Sequence, residues 1–332
     1  MKGYIAFLHF IVLGSMPLFA DRYDEAAKNA TEYLEKEVLL WQPENACFSC
    51  HNNGDATRVL LEISENTRQF EDSRWNGSIE WLDSPEKWKK ASSTEVELSP
   101  ALAIIQFGNT MLAAQQNGLL PASDTRFRSA AILIIESQHT DGYWAIEPPG
   151  HLGSPGTYGN PLGTAMALKI LSNSHLSKAK TTIQKSMEWI TQMNPRSTID
   201  LAAGIQILKN SETSERQALV AHWRRALIQR QNDNGSWGHY ASRFGEAFDT
   251  AVALLTLAPF LSSHADYRRP LALGRLFLTN TQEPSGGWIE TTRPSGGTSY
   301  AQHISTSAWA LSALTAVSSA LEAASLERTD SH

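Results

Sequence analysis

A turn of the form Gln-x-x-x-Gly-x-Trp occurs three times in this chain, at Gln138 to Trp144, Gln231 to Trp237 and Gln282 to Trp288. Each copy stands between two stretches of different polarity. Before the second copy, Leu219, Trp223, Ala226 and Leu227 form an apolar stripe against polar Arg216, Arg224 and Arg225, the pattern of a helix with one wet face. After the three copies come Thr164-Ala165-Met166-Ala167-Leu168, Thr250-Ala251-Val252-Ala253-Leu254-Leu255 and Thr306-Ser307-Ala308-Trp309-Ala310-Leu311. Helices without a polar face must be buried. The Gly of each turn can take the positive φ that ends an outer helix, and the Trp is expected to cover the helix end and stack on the Gln amide.

A degenerate pair, 178–193 and 198–208, lies between the first two copies, and its Gln192-Met193-Asn194-Pro195 turn lacks the Gly and the Trp. The Gln positions 138, 192, 231 and 282 are 54, 39 and 51 residues apart, which is the period of a helical-hairpin repeat. Upstream, 24–40 and 57–65 make a further pair, and 99–116 is another buried-type helix whose outer partner falls within 70–90. The pattern predicts an all-α chain of about five to six helix hairpins.

Gln-x-x-x-Gly-x-Trp turns between an outer helix and an inner helix opening on Thr-Ala-x-Ala-Leu resemble the repeats of squalene–hopene cyclase and the prenyltransferase β-subunit superfamily. The resemblance covers about residues 126–320 and implies an α/α toroid, a ring of helix pairs around a central cavity. It does not carry the chemistry across. The proton donor of a class II terpene cyclase sits in an Asp-x-Asp-Asp motif, and the matching segment here is Glu246-Ala247-Phe248-Asp249. Phe248 stands at the donor position and a phenyl ring holds no acidic proton, so Asp249 reads as a helix N-cap; under a cyclase reading, Asp249 or Glu246 would have to serve as the acid. The zinc site of the protein prenyltransferases needs a cavity Cys, and no Cys follows Cys50. A scaffold alone does not fix a function.

The chain has 2 Cys, and both lie in Cys47-Phe48-Ser49-Cys50-His51. Cys-x-x-Cys-His is the attachment motif of haem c: two thiols one helical turn apart bond the vinyl groups, and the next His binds the iron. The motif predicts one covalent haem c held by Cys47, Cys50 and His51. The alternatives are a Cys47–Cys50 disulfide, a redox pair, which lacks a surrounding βαβ pattern, and a zinc site, which lacks further ligands nearby. Residues 1–20 read as a secretory signal, with Lys2, an apolar run from 5 to 13 and Leu18-Phe19-Ala20 before the cleavage point. Export would place the chain in the periplasm or an equivalent compartment, where haem c is attached. No later stretch reaches the length of a membrane span.

The motif occupies the outer-to-inner position that the Gly-Trp turns occupy in later repeats, so a haem there would sit at the mouth of the ring. His139, His151, His239 and His303 share that face, whereas His175 and His264 lie in the opposite connections and His222 on an outer helix. His303, opening the last inner helix, is the first candidate for a sixth iron ligand, His239 the second and Met166 a third. Two long loops, 145–161 and 289–302, carrying Tyr158 and Tyr300, would rise on the same face as lids or as rim packing. With 28 basic and 34 acidic residues and a net charge of -6, nucleic acid is excluded as a partner. The sequence therefore predicts an exported haem c toroid, with a redox partner protein or an apolar small molecule as its counterpart. Its rivals are a haem-independent cyclase-like lyase or transferase, and a non-catalytic toroid that binds a lipid or a protein. Residues 21–320 would form the toroid, and 321–332, poor in apolar residues, a frayed tail.

Overall fold

The structure, a computed structural model, describes residues 16–45, 49–64, 70, 75–82, 100–121, 123–146, 153–293 and 298–329. All regular structure among them is helical. Among the described residues the outer helices are α1 (Met16–Asn45), α3 (Asn76–Leu82), α5 (Thr125–Glu136), α7 (Ser177–Thr191), α9 (Ser214–Gln229) and α11 (Arg268–Thr281). They alternate with six inner helices: α2 (Thr57–Ile63), α4 (Pro100–Gln116), α6 (Gly159–Asn173), α8 (Thr198–Leu208), α10 (Ala247–Leu257) and α12 (Tyr300–Thr329). Each inner helix packs on the next, and α12 returns to α2 and α1, closing the ring. This is the expected α/α toroid, with the sixth hairpin present.

The repeated turns hold the ring together by one set of bonds used three times. Gln138, Gln231 and Gln282 each donate to the carbonyl of their own turn Gly, at 3.0, 2.9 and 2.9 Å. Each also donates to the next outer helix: Thr182 at 2.9 Å, Pro270 at 2.9 Å and, across the closure, Ala26 at 2.8 Å. The indoles of Trp144, Trp237 and Trp288, all fully buried, donate to Ile134, Leu227 and Leu278 at 2.9, 2.7 and 2.8 Å. These carbonyls lie in the last turns of the outer helices, where the regular i+4 N–H partner is missing. The expected covering of the helix end is therefore present. The Gln amide itself donates to carbonyls on both sides of the turn.

Gly142, Gly235 and Gly286 have φ of +101, +87 and +94°, and at Gly286 a Cβ would strike the Asn29 carbonyl. The backbone N–H of Trp144 and Trp237 donates to Thr164 and Thr250, but that of Trp288 donates to Ser307 at 2.9 Å. The third inner-helix motif is thus in register on Ser307-Ala308-Trp309-Ala310-Leu311, one residue later than Thr306.

The outer helix expected within 70–90 is α3; residues 83–99 lie outside the described residues, as do 1–15 of the expected signal, and α1 starts at Met16, ahead of the expected cleavage point. At the other end, α12 continues to Thr329 rather than fraying at 321. Leu321 is still buried, and Arg268 on α11 donates to the Ala324 carbonyl at 2.8 Å and to Ser325. The 300–326 part of α12 has the length and hydropathy of a membrane span, but 67% of its most apolar window is buried in the ring, which accounts for its composition.

Candidate functional site

Inner helices begin at the mouth of the ring and end at its far face. The first of them is preceded by a widened, π-helical turn, Cys50–Ala56, a form that gathers at functional positions. Ser49 is extended, and its hydroxyl accepts from His51 N at 3.1 Å and Asn52 N at 3.5 Å, capping the turn. Asn53 donates to Ser78 at 2.8 Å, Thr110 donates to the Gly54 carbonyl at 2.8 Å, and Asn52 donates to the Tyr300 hydroxyl at 2.9 Å. Tyr300 in turn donates to Glu37 at 2.5 Å and stacks on Trp41. Four helices thus hold one short turn.

That turn places Asp55 on the ring axis with no exposure to solvent. Gln106 of α4 donates to its Oδ2 at 3.0 Å, Ser305 of α12 donates to the same oxygen at 2.9 Å, and the Tyr158 hydroxyl donates to Oδ1. Burial pushes the Asp55 carboxyl above the usual carboxylate range, while Arg58 and Tyr158 act the other way. Arg58, also buried, has Nε 3.9 Å from Asp55, lies 5.2 Å over the Trp309 ring and donates to Glu62 at 2.8 Å. Lys169 of α6 closes the chain on Glu62 at 2.8 Å. Burial alone would raise Glu62, but Arg58 and Lys169 outweigh it and hold the carboxyl at about 2. A line of alternating charges, Asp55, Arg58, Glu62 and Lys169, therefore runs down the axis from mouth to far face.

Aromatic rings flank the upper part of this line. Trp309 meets Tyr158 and Phe248 edge to face, both at 5.6 Å. Tyr158 comes from the 145–161 loop, is fully buried and has φ of +64°, a conformation that costs a non-Gly residue on the order of 1–3 kcal/mol. The loop therefore enters the mouth and stops it, instead of lying over the rim.

Asp249 and Glu246 form a separate cluster. Glu246 is the residue at the N-cap of α10, without a side-chain cap bond, and Asp249 sits in the first turn. Asp249 is not the N-cap that the sequence predicts: its buried carboxylate is bound by Arg293 of the 289–302 loop, which also reaches Glu246 at 2.9 Å and the Gly153 carbonyl. His239 Nδ1 lies 3.5 Å from Asp249. One guanidinium thus joins both long loops to α10.

The described histidines expected at the mouth, His139, His239 and His303, have partners other than His51. His303 Nδ1 lies 3.2 Å from Glu290, its Nε2 lies 3.7 Å from Glu283, and the ring rests on Tyr33. The ring closes as expected, but residue 303 points toward α1; Ser305, two residues and about 200° further on, faces the axis. His239 belongs to the Asp249 cluster, His139 pairs with Asp141 at 3.5 Å, and Met166 lines a cavity in the far half of the ring. His151, Cys47 and the side chain of Cys50 lie outside the described residues. Among the described residues no three His, Cys, Asp or Glu side chains are grouped to hold a metal ion.

The imidazole of His51 is buried, with Nε2 3.8 Å from where a Gly156 Cβ would stand, and that same point is 3.1 Å from Gln302. Gly156 and Gln302 thus close over this nitrogen, and the Cys47 and Cys50 side chains that would bond a haem lie outside the described residues.

Asp55 and Arg58 are absent from the sequence reading, although a signal exists. Asp55, Arg58 and Glu62 recur on one helical face of a stretch whose neighbours, Val59, Leu60 and Leu61, are fully buried. Charges that recur where a helix must be buried mark a paired interior network.

No family model matches the chain, and no curated protein matches it. Among solved structures, the chain is similar to type II terpene cyclase MstE from Scytonema, in complex with geranylgeranyl dihydroxybenzoate. The two share 13% identity over 92% of this chain and 100% of that one, with a TM-score of 0.65. It is also similar to the Lin0763 protein of Listeria innocua, at 11% identity over 90% and 97% of the two chains and a TM-score of 0.58. A possible GH105 family member from Salmonella enterica is 12% identical over 94% and 96%, with a TM-score of 0.52. At these identities the likeness carries the fold, an α/α toroid, and leaves the chemistry to the residues on the axis.

Proposed function

We propose that the protein is an exported, terpene-cyclase-like lyase or transferase acting on an apolar small molecule at the ring axis, with Asp55 as its acid. The observation that carries this reading is a carboxyl wholly withdrawn from solvent and bonded to Tyr158, whose ring meets Trp309, itself edge to face with Phe248. Burial favours the protonated form, and aromatic faces stabilise a cation formed beside them. Protonation of an alkene carbon by Asp55 leaves a carbocation. A second alkene of the same molecule attacks the cation and closes a ring, and loss of a proton from a neighbouring carbon to water then yields a cyclic isomer of the substrate, with atoms and charge balanced. Asp249 and Glu246 are engaged instead by Arg293, which ties the two long loops to α10. Substrate reaches the axis when Tyr158 withdraws, and the strain in its backbone lowers the cost of that step.

The test is incubation of the purified protein with geranylgeranyl dihydroxybenzoate, the ligand of the similar cyclase, in deuterated water. Expected is a cyclised product carrying one deuterium, reduced about 100-fold or more in Asp55→Asn. No cyclised product from this compound or from geranylgeraniol, or one that Asp55→Asn forms as fast, overturns the reading.

The Cys-x-x-Cys-His spacing favours a second reading, a covalent haem c used in electron transfer or in redox chemistry on the same apolar molecule. It requires the segment holding Gly156 to leave His51. Expression with haem c maturation machinery and a spectrum taken after denaturation decide it: a colourless protein eliminates haem, and colour that survives Cys47→Ala and Cys50→Ala does too.

A further inference from the structure

At the far end of the ring, away from Asp55, α6, α7 and α8 line a partly open cavity of about 410 Å³, within the roughly 300–1,000 Å³ of small-molecule sites. Its walls divide by chemistry. Met166, Leu168, Ile183, Met187 and Ile207 supply an apolar side, whereas Lys169 and Lys209 supply neighbouring ammonium groups. Glu62 is the carboxylate of this neighbourhood, and its two oxygens are already taken by Arg58 and Lys169, at 2.8 Å each. With both Glu62 oxygens so engaged, the charge of Lys209 is in excess. Burial and the neighbouring Lys169 both lower the Lys209 amine from its ordinary value, as two ammonium groups without enough counter-charge should.

We infer that this cavity binds an amphipathic anion, a single carboxylate or phosphate head on an apolar chain, with the head at Lys209 and Lys169 and the chain along Met166, Ile183 and Met187. An anion beside Lys209 relieves the repulsion between the two ammonium groups, and the chain removes apolar wall from water. The methionines suit a chain of unspecified shape, since their side chains adapt. Arg216 of α9, 3.9 Å from the Met187 sulfur, adds a further positive charge near that wall. The inference is independent of Asp55.

Decanoate and dodecyl phosphate are titrated into the mature protein by calorimetry, with inorganic phosphate and decanol as the head-only and chain-only controls. Expected is saturable binding of both amphiphiles, weakened about tenfold or more in Lys209→Met, the fold-change of one lost charged hydrogen bond. Met187→Trp, which fills the apolar wall, should weaken the amphiphiles and leave the weak phosphate signal unchanged. Three results overturn the inference: no binding of either amphiphile, equal affinity for wild type and Lys209→Met, or decanol binding as tightly as decanoate. Asp55→Asn should bind decanoate as the wild type does, so failure here and failure of the proposed acid chemistry are separately visible.

Discussion

At the scale of single residues, the axis of the ring is a set of charges whose protonation burial and pairing drive in opposite directions. Glu62 ordinarily titrates at 4.5 and is held at about 2 in the fold, where Arg58 and Lys169 overcome its desolvation. A depressed carboxyl contributes stability that is present above its unfolded value and lost as pH falls toward its folded one. Glu62→Gln should therefore cost about 2 kcal/mol at neutral pH and flatten the loss of stability between pH 4.5 and 2. Urea unfolding across that range checks this; an acid limb as steep as the wild type's would refute it. Asp55 has the opposite sign: its raised folded value gives stability that is full below 3.8 and lost as pH rises through the folded value. The helical spacing of Asp55, Arg58 and Glu62 marks the network, but the other partners of Asp55 were not legible from it. Tyr158, Gln106 and Ser305 are 103, 51 and 250 residues from Asp55, and only closure of the ring makes them neighbours.

At the scale of elements, the Gln-x-x-x-Gly-x-Trp turn is a clasp, legible in outline from sequence and incomplete in its bonds. The Gly was readable because a helix end in the left-handed region favours it. The Gln was not, because its second acceptor belongs to the next hairpin. Gly286 matters most, since its clasp grips α1 and so joins the two ends of the chain. Gly286→Ala sets an L side chain at φ of +94° against the Asn29 carbonyl and should cost about 2 kcal/mol or more. Hydrogen exchange should show α1 amides opening first; unchanged thermal stability would contradict the clasp. Asp249 teaches the complementary lesson. Its place before an inner-helix Thr-Ala made a cap the natural expectation, and the displacing partner, Arg293, comes from a loop whose path no local pattern specifies.

For the whole molecule, closure distinguishes this fold from an open solenoid, which can lose a terminal repeat and keep the rest. Here α12 covers α2 and α10 at once and contributes Trp309, Leu311, Leu314 and Val317 to the core. A chain ended at residue 299 should therefore lose cooperative unfolding altogether, as followed by near-ultraviolet circular dichroism; a sharp transition from five surviving hairpins would refute this. The sequence by itself determined the helical hairpins, their order, their inner and outer faces and the side on which the Cys47 motif lies. Hydrophobic periodicity and turn chemistry act within one or two hairpins, and each repeat states them afresh. Only the tertiary structure decided what fills the ring: that Asp55 occupies the axis, that Tyr158 stops the mouth, that His303 turns toward α1 and His239 toward Asp249, and that His51 is enclosed. Those outcomes depend on which side chains from six hairpins reach one small, dry volume and can satisfy one another there. That is a property of the closed ring and not of any segment in it.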